Sequence, residues 1–350
     1  METRSARVVR QIAQVDGIQD DTATSKERMA QLEQLTQTSD VRYLEQLLDL
    51  SEKARVFVVW HPSGGTGKTT TALNIGYLLA KDQHRVLVID LDPRGELSQR
   101  LDLTPDYPSL GRCLASGLEE SPTAVRVSWT SKRVGMDFWP STQKGMFAVE
   151  QRLVVALDKR NERLRRLIES VVHLYDYILI DCPPGFNLVS INGMVAATDS
   201  IGGLVVPVQA KDKAYKALPD MLVNLAGLDR DYRPAILGIL PTMAEANPVG
   251  RDNVSQVHQE YPGLIFNTFI PNRSSDVSVE GRWLAPVSMY APSNDAVKAY
   301  KQVTRELQER TTITGYLAQQ ATTKQLLDQY RGKVQEDYDE VRGQEVIERD

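Results

Sequence analysis

The stretch HPSGGTGKTTTALNIG at 61–76 follows an apolar run and opens a helical pattern, and its residue types suit an anion. Gly64, Gly65 and Gly67 let backbone N–H groups turn inward around phosphate oxygens, where side chains would block both the turn and the approach. Lys68 then reaches the β- and γ-phosphates and Thr69 offers a hydroxyl to Mg²⁺. Thr66 and Thr70 complete the cradle, with the positive end of the next helix behind it. The strict pattern G-x-x-x-x-G-K-[ST] asks for glycine at 62, where this chain has Pro62. A second stretch, VLVIDLDPRGELS, ends a buried strand on Asp90 and Asp92. Such an acidic pair is costly unless solvated, paired or near a cation, and capping of the following segment is the plain alternative. A third, YDYILIDCPPG, ends another strand at Asp181, where a carboxylate can hold the Mg²⁺ shell directly or through water.

These residues need a frame. Apolar runs occur at 55–60, 85–90, 136–140, 177–181, 202–208, 235–241 and 264–270, most separated by segments long enough for a crossover helix. Near-continuous apolar strands alternating with helices predict an α/β fold, a doubly wound, mostly parallel sheet covered on both faces. Ligands of such sheets sit at the carboxyl ends of strands, where all three stretches fall. Residues 1–54 read as a helical extension. Met29, Leu32 and Leu35 share one face, as do Tyr43, Leu44, Leu47 and Leu48, and Ser39 and Asp40 are natural caps for the second helix. Docking on the main domain or on a second copy is the ordinary use of such stripes, and a DNA- or partner-contacting arm the alternative. Residues 55–310 form the expected catalytic domain. In 311–350, Leu327, Tyr330, Val334, Tyr338 and Val341 mark an acidic amphipathic helix.

The 350-residue chain carries a formal charge of −5, with 41% hydrophobic and 25% charged residues, as in ordinary globular proteins. The acidity lies in the tails. Residues 1–55 hold 8 basic and 10 acidic side chains and 306–350 hold 6 and 10, which leaves 27 and 26 between them. The two cysteines, Cys113 and Cys182, form no C-x-x-C pair, so a disulfide framework is excluded and each reads as a small buried apolar residue. No signal-like core or ~20-residue apolar span appears, which reads as cytoplasmic.

On these motifs the chain resembles the ParA/MinD family of deviant Walker ATPases, ParA more closely. The family loop K-G-G-x-G-K-[ST] compares with SGGTGKTT, its D-x-D-P-Q with DLDPRG, and its D-x-P-P with DCPPG. Later stretches such as ATDSIGGLVVPVQ, GILPTM and NTFIPN extend the likeness over about 55–310. The resemblance implies ATP and Mg²⁺ as cofactors and slow, partner-stimulated hydrolysis. It gives Asp92 the task of orienting the attacking water, gives Thr69 and Asp181 the magnesium, and places Met243 and Pro271 at the adenine. It also implies a homodimer with ATP, nonspecific double-stranded DNA binding, a ParB-like or adaptor activator, and partition of DNA or positioning of a large protein cargo.

Two departures stand out. The signature lysine that reaches across the dimer falls at Ser63, and the glutamine of D-x-D-P-Q is Arg94. A replacement cation is expected from Arg94, Lys211 or Lys213, the lysines being favoured for their flexible stems. DNA contact would need clustered bases. The densest run holds Lys159, Arg160, Arg163, Arg165 and Arg166, with Arg273 and Arg282 as later candidates. A solvated helix surface is the ordinary meaning of such a run. A MinD-like membrane role would want a basic C-terminal helix, and the acidic tail opposes stable membrane association. A nucleoid-associated location follows from the ParA likeness.

Overall fold

The protein is described from a computed structural model covering residues 3–18, 22–37, 39–117, 120–129, 133–156, 159–210, 215, 217–245, 248–272 and 285–347, the side chains of 248–251, 253 and 332–347 excepted. Seven strands are present among these residues: β1 (Arg55–Val59), β2 (Val86–Asp90), β3 (Val125–Trp129), β4 (Val134–Trp139), β5 (Tyr177–Asp181), β6 (Gly203–Gln209) and β7 (Ile236–Thr242). They form one sheet in the order β3-β4-β2-β5-β1-β6-β7. All neighbours are parallel except β3, which runs antiparallel to β4 at the edge.

Alternation along the strands divides the core in two. Val56, Val58, Ile178, Ile180 and Val206 face one layer, containing helices α6 (Leu110–Ser116), α7 (Gln143–Val155), α8 (Arg163–Glu169), α9 (Leu188–Ala196), α10 (Leu218–Gly227) and α11 (Pro248–Glu260). Phe57, Val59, Val88, Leu179 and Val205 face the other. That side holds α4 (Lys68–Lys81), the short α5 (Glu96–Arg100) and α12 (Val287–Tyr290), and α13 (Asp295–Arg310). Every residue of α4 from Lys68 to Ala80 is buried, so the helix after the glycine loop is locked into the core on all sides.

The N-terminal stripes dock on the same chain. Leu32, Leu44 and Leu47, from α2 (Ala23–Gln37) and α3 (Val41–Ser51), are fully buried beside Val8 and Ile12 of α1 (Arg4–Val15). Asp40 caps α3 by accepting from the Arg42 amide at 2.9 Å, as its position predicts. Asp16 reaches much further along the chain. Its two carboxylate oxygens accept from the amides of Ile313 (2.8 Å) and Thr314 (2.7 Å), the first residues of α14 (Ile313–Ile347). An anion there satisfies free amides and opposes the helix dipole.

Two expectations about the sheet are corrected. The run 264–270 is not a ladder strand; it meets β7 at the isolated bridge Ile239–Ile265 and through the Ile270 amide, which donates to the Pro241 carbonyl at 2.8 Å, with a second isolated bridge, Ala244–Pro271, just beyond it. Arg310 meets part of its backbone instead. Its guanidinium donates to the carbonyls of Leu237 (2.5 Å), Leu264 (3.2 Å) and Ile265 (2.7 Å), while Glu306 accepts from the Asn267 amide. Side chains of α13 thus satisfy backbone that a full strand would have paired. Gly238 permits this insertion, since a Cβ there would collide with the Phe266 ring and lie 2.7 Å from Arg310 Nη1. Conversely, β3 is a strand that the search for apolar runs passes over. Its residues alternate in exposure, and Arg126 faces its register partner Asp137 in a 2.9 Å ion pair.

Candidate functional site

Strand order brings the three motifs together. β2, β5 and β1 are adjacent, and Asp181 is in register with Asp90 on one side and Val59 on the other. The glycine loop, the Asp90/Asp92 turn and Asp181 therefore leave the sheet side by side, at its carboxyl edge.

The loop is held from both flanks. Gly65 and Gly67 have φ of +73° and +89°, a region that favours glycine on backbone grounds alone. Gln209, ending β6, donates to the Gly65 carbonyl at 2.8 Å, and Thr242, ending β7, donates to the Thr66 carbonyl at 2.9 Å. Two loop carbonyls are thus tied back toward the strands. Met243 lies just beyond; its methyl would sit 3.9 Å from a Cβ at Gly67. Pro271 bridges to Ala244, the residue after Met243, so the two candidate adenine contacts lie near one another, Met243 beside the loop. The Thr66 hydroxyl is buried and has no partner. Thr70 is engaged within the protein, its hydroxyl accepting from Arg100 at 3.0 Å.

Lys68 is 6% exposed, and its amine donates to the Ser63 carbonyl at 2.9 Å. Burial lowers its pKa, and the charges of Asp181 and Asp92 pull it back up. Asp181 is 1% exposed and neither carboxylate oxygen has a hydrogen-bond partner. Burial, then the neighbouring Asp90 charge, pushes its pKa well up, against the Thr69 hydroxyl and Lys68. A buried carboxylate without partners beside a threonine hydroxyl is a hard-oxygen donor set, which fits Mg²⁺. Among the described residues no cluster of three His, Cys, Asp or Glu could hold a metal alone.

The two aspartates of the second motif divide their roles. Asp90 is fully buried and accepts from the Ser98 amide (2.9 Å), the Ser98 hydroxyl (2.6 Å) and the Asp92 amide (3.2 Å). It braces α5, and desolvation raises its pKa to about 6. Asp92 accepts from the Arg94 amide at 2.8 Å and pairs with its guanidinium at 3.2 Å.

Several contributors carried no motif signal. His61 is completely buried and accepts the Ser63 amide on Nδ1 at 3.0 Å, so the neutral ring carries its proton on Nε2, which has no partner. Desolvation, aided by the Lys68 charge, lowers its pKa from 6.5 to about 4. A depressed histidine contributes stability that is present above pH 6.5 and lost as pH falls toward 4. His61→Asn keeps an acceptor for Ser63 and removes the titration. Denaturant unfolding between pH 7 and 4.5 should then show the wild type losing about 2 kcal/mol more than the variant. Equal acid losses in both would contradict this reading. Trp60, between β1 and the glycine loop, holds the loop after β5 by donating to the Gly185 carbonyl at 3.0 Å.

The basic run is partly committed elsewhere. Arg163 donates to the carbonyls of Leu114 and Ala115, capping the end of α6. Arg165 pairs with Glu162 and Asp199. Arg166 is half-buried, while Lys159 and Arg160 are exposed. Lys211, Lys213, Arg273 and Arg282 lie outside the described residues. Both cysteines are free and buried, as their sequence setting predicts.

A family model described as "AAA domain" matches residues 54–237. The chain is 28% identical to the sporulation initiation inhibitor protein Soj of Bacillus subtilis, over 72% of this chain and 98% of Soj. It is 30% identical to the chromosome partitioning protein ParA of Caulobacter vibrioides, over 73% and 94%. Among solved structures, cobyrinic acid a,c-diamide synthase from Mycobacterium smegmatis, with bound ATP analog and magnesium, is similar at TM-score 0.60 and 27% identity. That match covers 73% of this chain and 95% of the synthase.

Proposed function

The chain belongs to the AAA domain family as a ParA-like P-loop ATPase of the partitioning or positioning type, and on that premise we propose that ATP switches it between a free form and a DNA-bound homodimer. In this reading the dimer segregates DNA or positions a large protein cargo, and a ParB-like or adaptor protein ends each cycle by stimulating hydrolysis. One observation carries it: the buried, unpartnered Asp181 carboxylate in register with Asp90, beside Lys68 and Thr69.

Backbone amides from Gly64 to Gly67 and the Lys68 amine bind the triphosphate, and Met243 and Pro271 border the adenine. Thr69 and Asp181 would hold Mg²⁺, which supplies charge neutralisation on the phosphate oxygens. Asp92 orients the attacking water. Phosphoryl transfer asks for little beyond such positioning and charge. DNA contact falls first to the exposed Lys159 and Arg160, with Arg166 beside them and Arg273 and Arg282 as further members. No described helix is long and apolar enough to cross a membrane.

The test is sedimentation of the full chain with random-sequence duplex, in ATP, in ADP and without nucleotide, at several salt concentrations. DNA-bound dimer should appear with ATP alone, and log affinity should fall with log salt by about 0.9 per phosphate contacted. Lys159→Ala with Arg160→Ala should lower that slope. Affinity that ignores nucleotide would refute the switch.

A further inference from the structure

Asp92 is not free to act as the site stands. Its carboxylate is 6% exposed, and both oxygens accept from one residue, Arg94: Oδ1 from the amide (2.8 Å) and Nε (3.4 Å), and Oδ2 from Nη2 (3.2 Å). The guanidinium itself is 56% exposed and shares Nη1 with Glu96 at 3.2 Å. It also lies within electrostatic reach of Asp181 and Lys68.

The backbone beneath is rigid. The Gly95 amide closes the turn onto the Asp92 carbonyl at 2.9 Å, the Ser141 hydroxyl donates to that same carbonyl at 3.0 Å, and Gly95 sits at φ +63° against Ser141. Movement at this point therefore belongs to the Arg94 side chain. A half-exposed guanidinium in an ion pair is weakly held. A phosphate group offers it a stronger, bidentate, charge-assisted contact.

We propose that Arg94 is a catalytic residue that changes partners: it latches Asp92 until the γ-phosphate of bound ATP draws its guanidinium away, and the released carboxylate then orients the attacking water. The inference rests on the ATPase reading above and deepens it. The water oxygen bonds to the γ-phosphorus as that atom's bond to the β–γ bridging oxygen breaks. The bond's electron pair leaves on ADP, and the water proton ends on inorganic phosphate. Arg94 neutralises charge on the γ-oxygens during this step. A cation that Ser63 does not provide is thus supplied from two strands away in the same chain.

The experiment compares wild type with Arg94→Ala, Arg94→Lys, Lys211→Ala and Lys213→Ala. ATP affinity is read by calorimetry and hydrolysis by single turnover. The ¹⁵Nε–H resonance of Arg94 is followed with Mg-ADP and with a magnesium complex of a non-hydrolysable ATP analogue. The resonance should hold with Mg-ADP and move with the analogue. Arg94→Ala should bind ATP more weakly than wild type, because a γ-phosphate contact is lost, and should hydrolyse the ATP it binds about 100-fold more slowly, a larger loss than either lysine variant gives. Arg94→Lys, which keeps the charge, should recover part of the rate. Turnover of Arg94→Ala within twofold of wild type, a greater loss in a lysine variant, or a resonance moved equally by both nucleotides would overturn the inference alone. Failure of the wild type to take up Mg-ATP would overturn the parent reading with it.

Discussion

Lys68→Ala is expected to weaken ATP binding by about 100-fold or more and to abolish measurable turnover. The amine is 6% exposed and donates to the Ser63 carbonyl. That contact is easily exchanged for phosphate oxygens, because a neutral carbonyl competes poorly with an anion for an ammonium donor. Truncating one partner of a buried, hydrogen-bonded charge pair costs about 2–5 kcal/mol, and ~3 kcal/mol already corresponds to a 100-fold change in affinity. The substitution also strips Asp181 and Asp92 of their buried counter-charge. Calorimetry with Mg-ATP, alongside circular dichroism to establish folding, measures the effect. A folded variant that binds within threefold of wild type would contradict the assignment.

Asp181→Asn should move stability and function in opposite directions. Both of its carboxylate oxygens are buried without hydrogen-bond partners next to Asp90, and burial and that neighbour outweigh the charge of nearby Lys68, so the carboxylate is a net cost to the fold when no further cation is bound. An amide of the same shape removes that cost. At pH 7, without nucleotide, the variant should unfold at a temperature equal to or above that of wild type. The same substitution would withdraw the proposed magnesium ligand, so turnover should fall by about 100-fold or more, with several kcal/mol of charge stabilisation lost. Adding ATP with magnesium should raise the melting temperature of wild type and leave the variant unmoved, because ligand binding to the native state is what shifts that equilibrium. A destabilised variant that still responds to magnesium would argue for a purely structural Asp181.

The contrast between these residues shows what the sequence can reveal. Gly-Lys-Thr after an apolar run, and aspartates ending two others, were readable because their chemistry is local: a few adjacent residues make the loop, and strand ends are marked by where apolar runs stop. Six of the seven runs became strands for the same reason. The run 264–270 makes only partial pairing with the sheet, and part of its backbone is instead met from about forty residues later, by Arg310 at the Ile265 carbonyl and Glu306 at the Asn267 amide. β3 was missed because half its residues face solvent, so it lacks the continuous apolar signature of a central strand. Long-range partnerships were equally hidden. Asp16 caps a helix that starts near residue 313, and nothing near Asp16 announces it. Arg163 belongs to a conspicuous basic run, yet its guanidinium serves the end of α6. His61 gave no motif signal, although a histidine following a buried strand and preceding the glycine loop had to be accommodated somewhere. Both members of the Asp90/Asp92 pair accept backbone amides of the following segment, Asp90 from Ser98 and Asp92 from Arg94, and Asp92 meets a cation as well.

The proposed function depends on three strand ends gripping one magnesium-bound triphosphate. Calorimetric titration of the purified full chain with ATP, in the presence and then the absence of magnesium, tests that most directly. One ATP per chain, with uptake lost when magnesium is chelated, is the predicted result. A folded protein that takes up no ATP, or binds it equally well without magnesium, would contradict it.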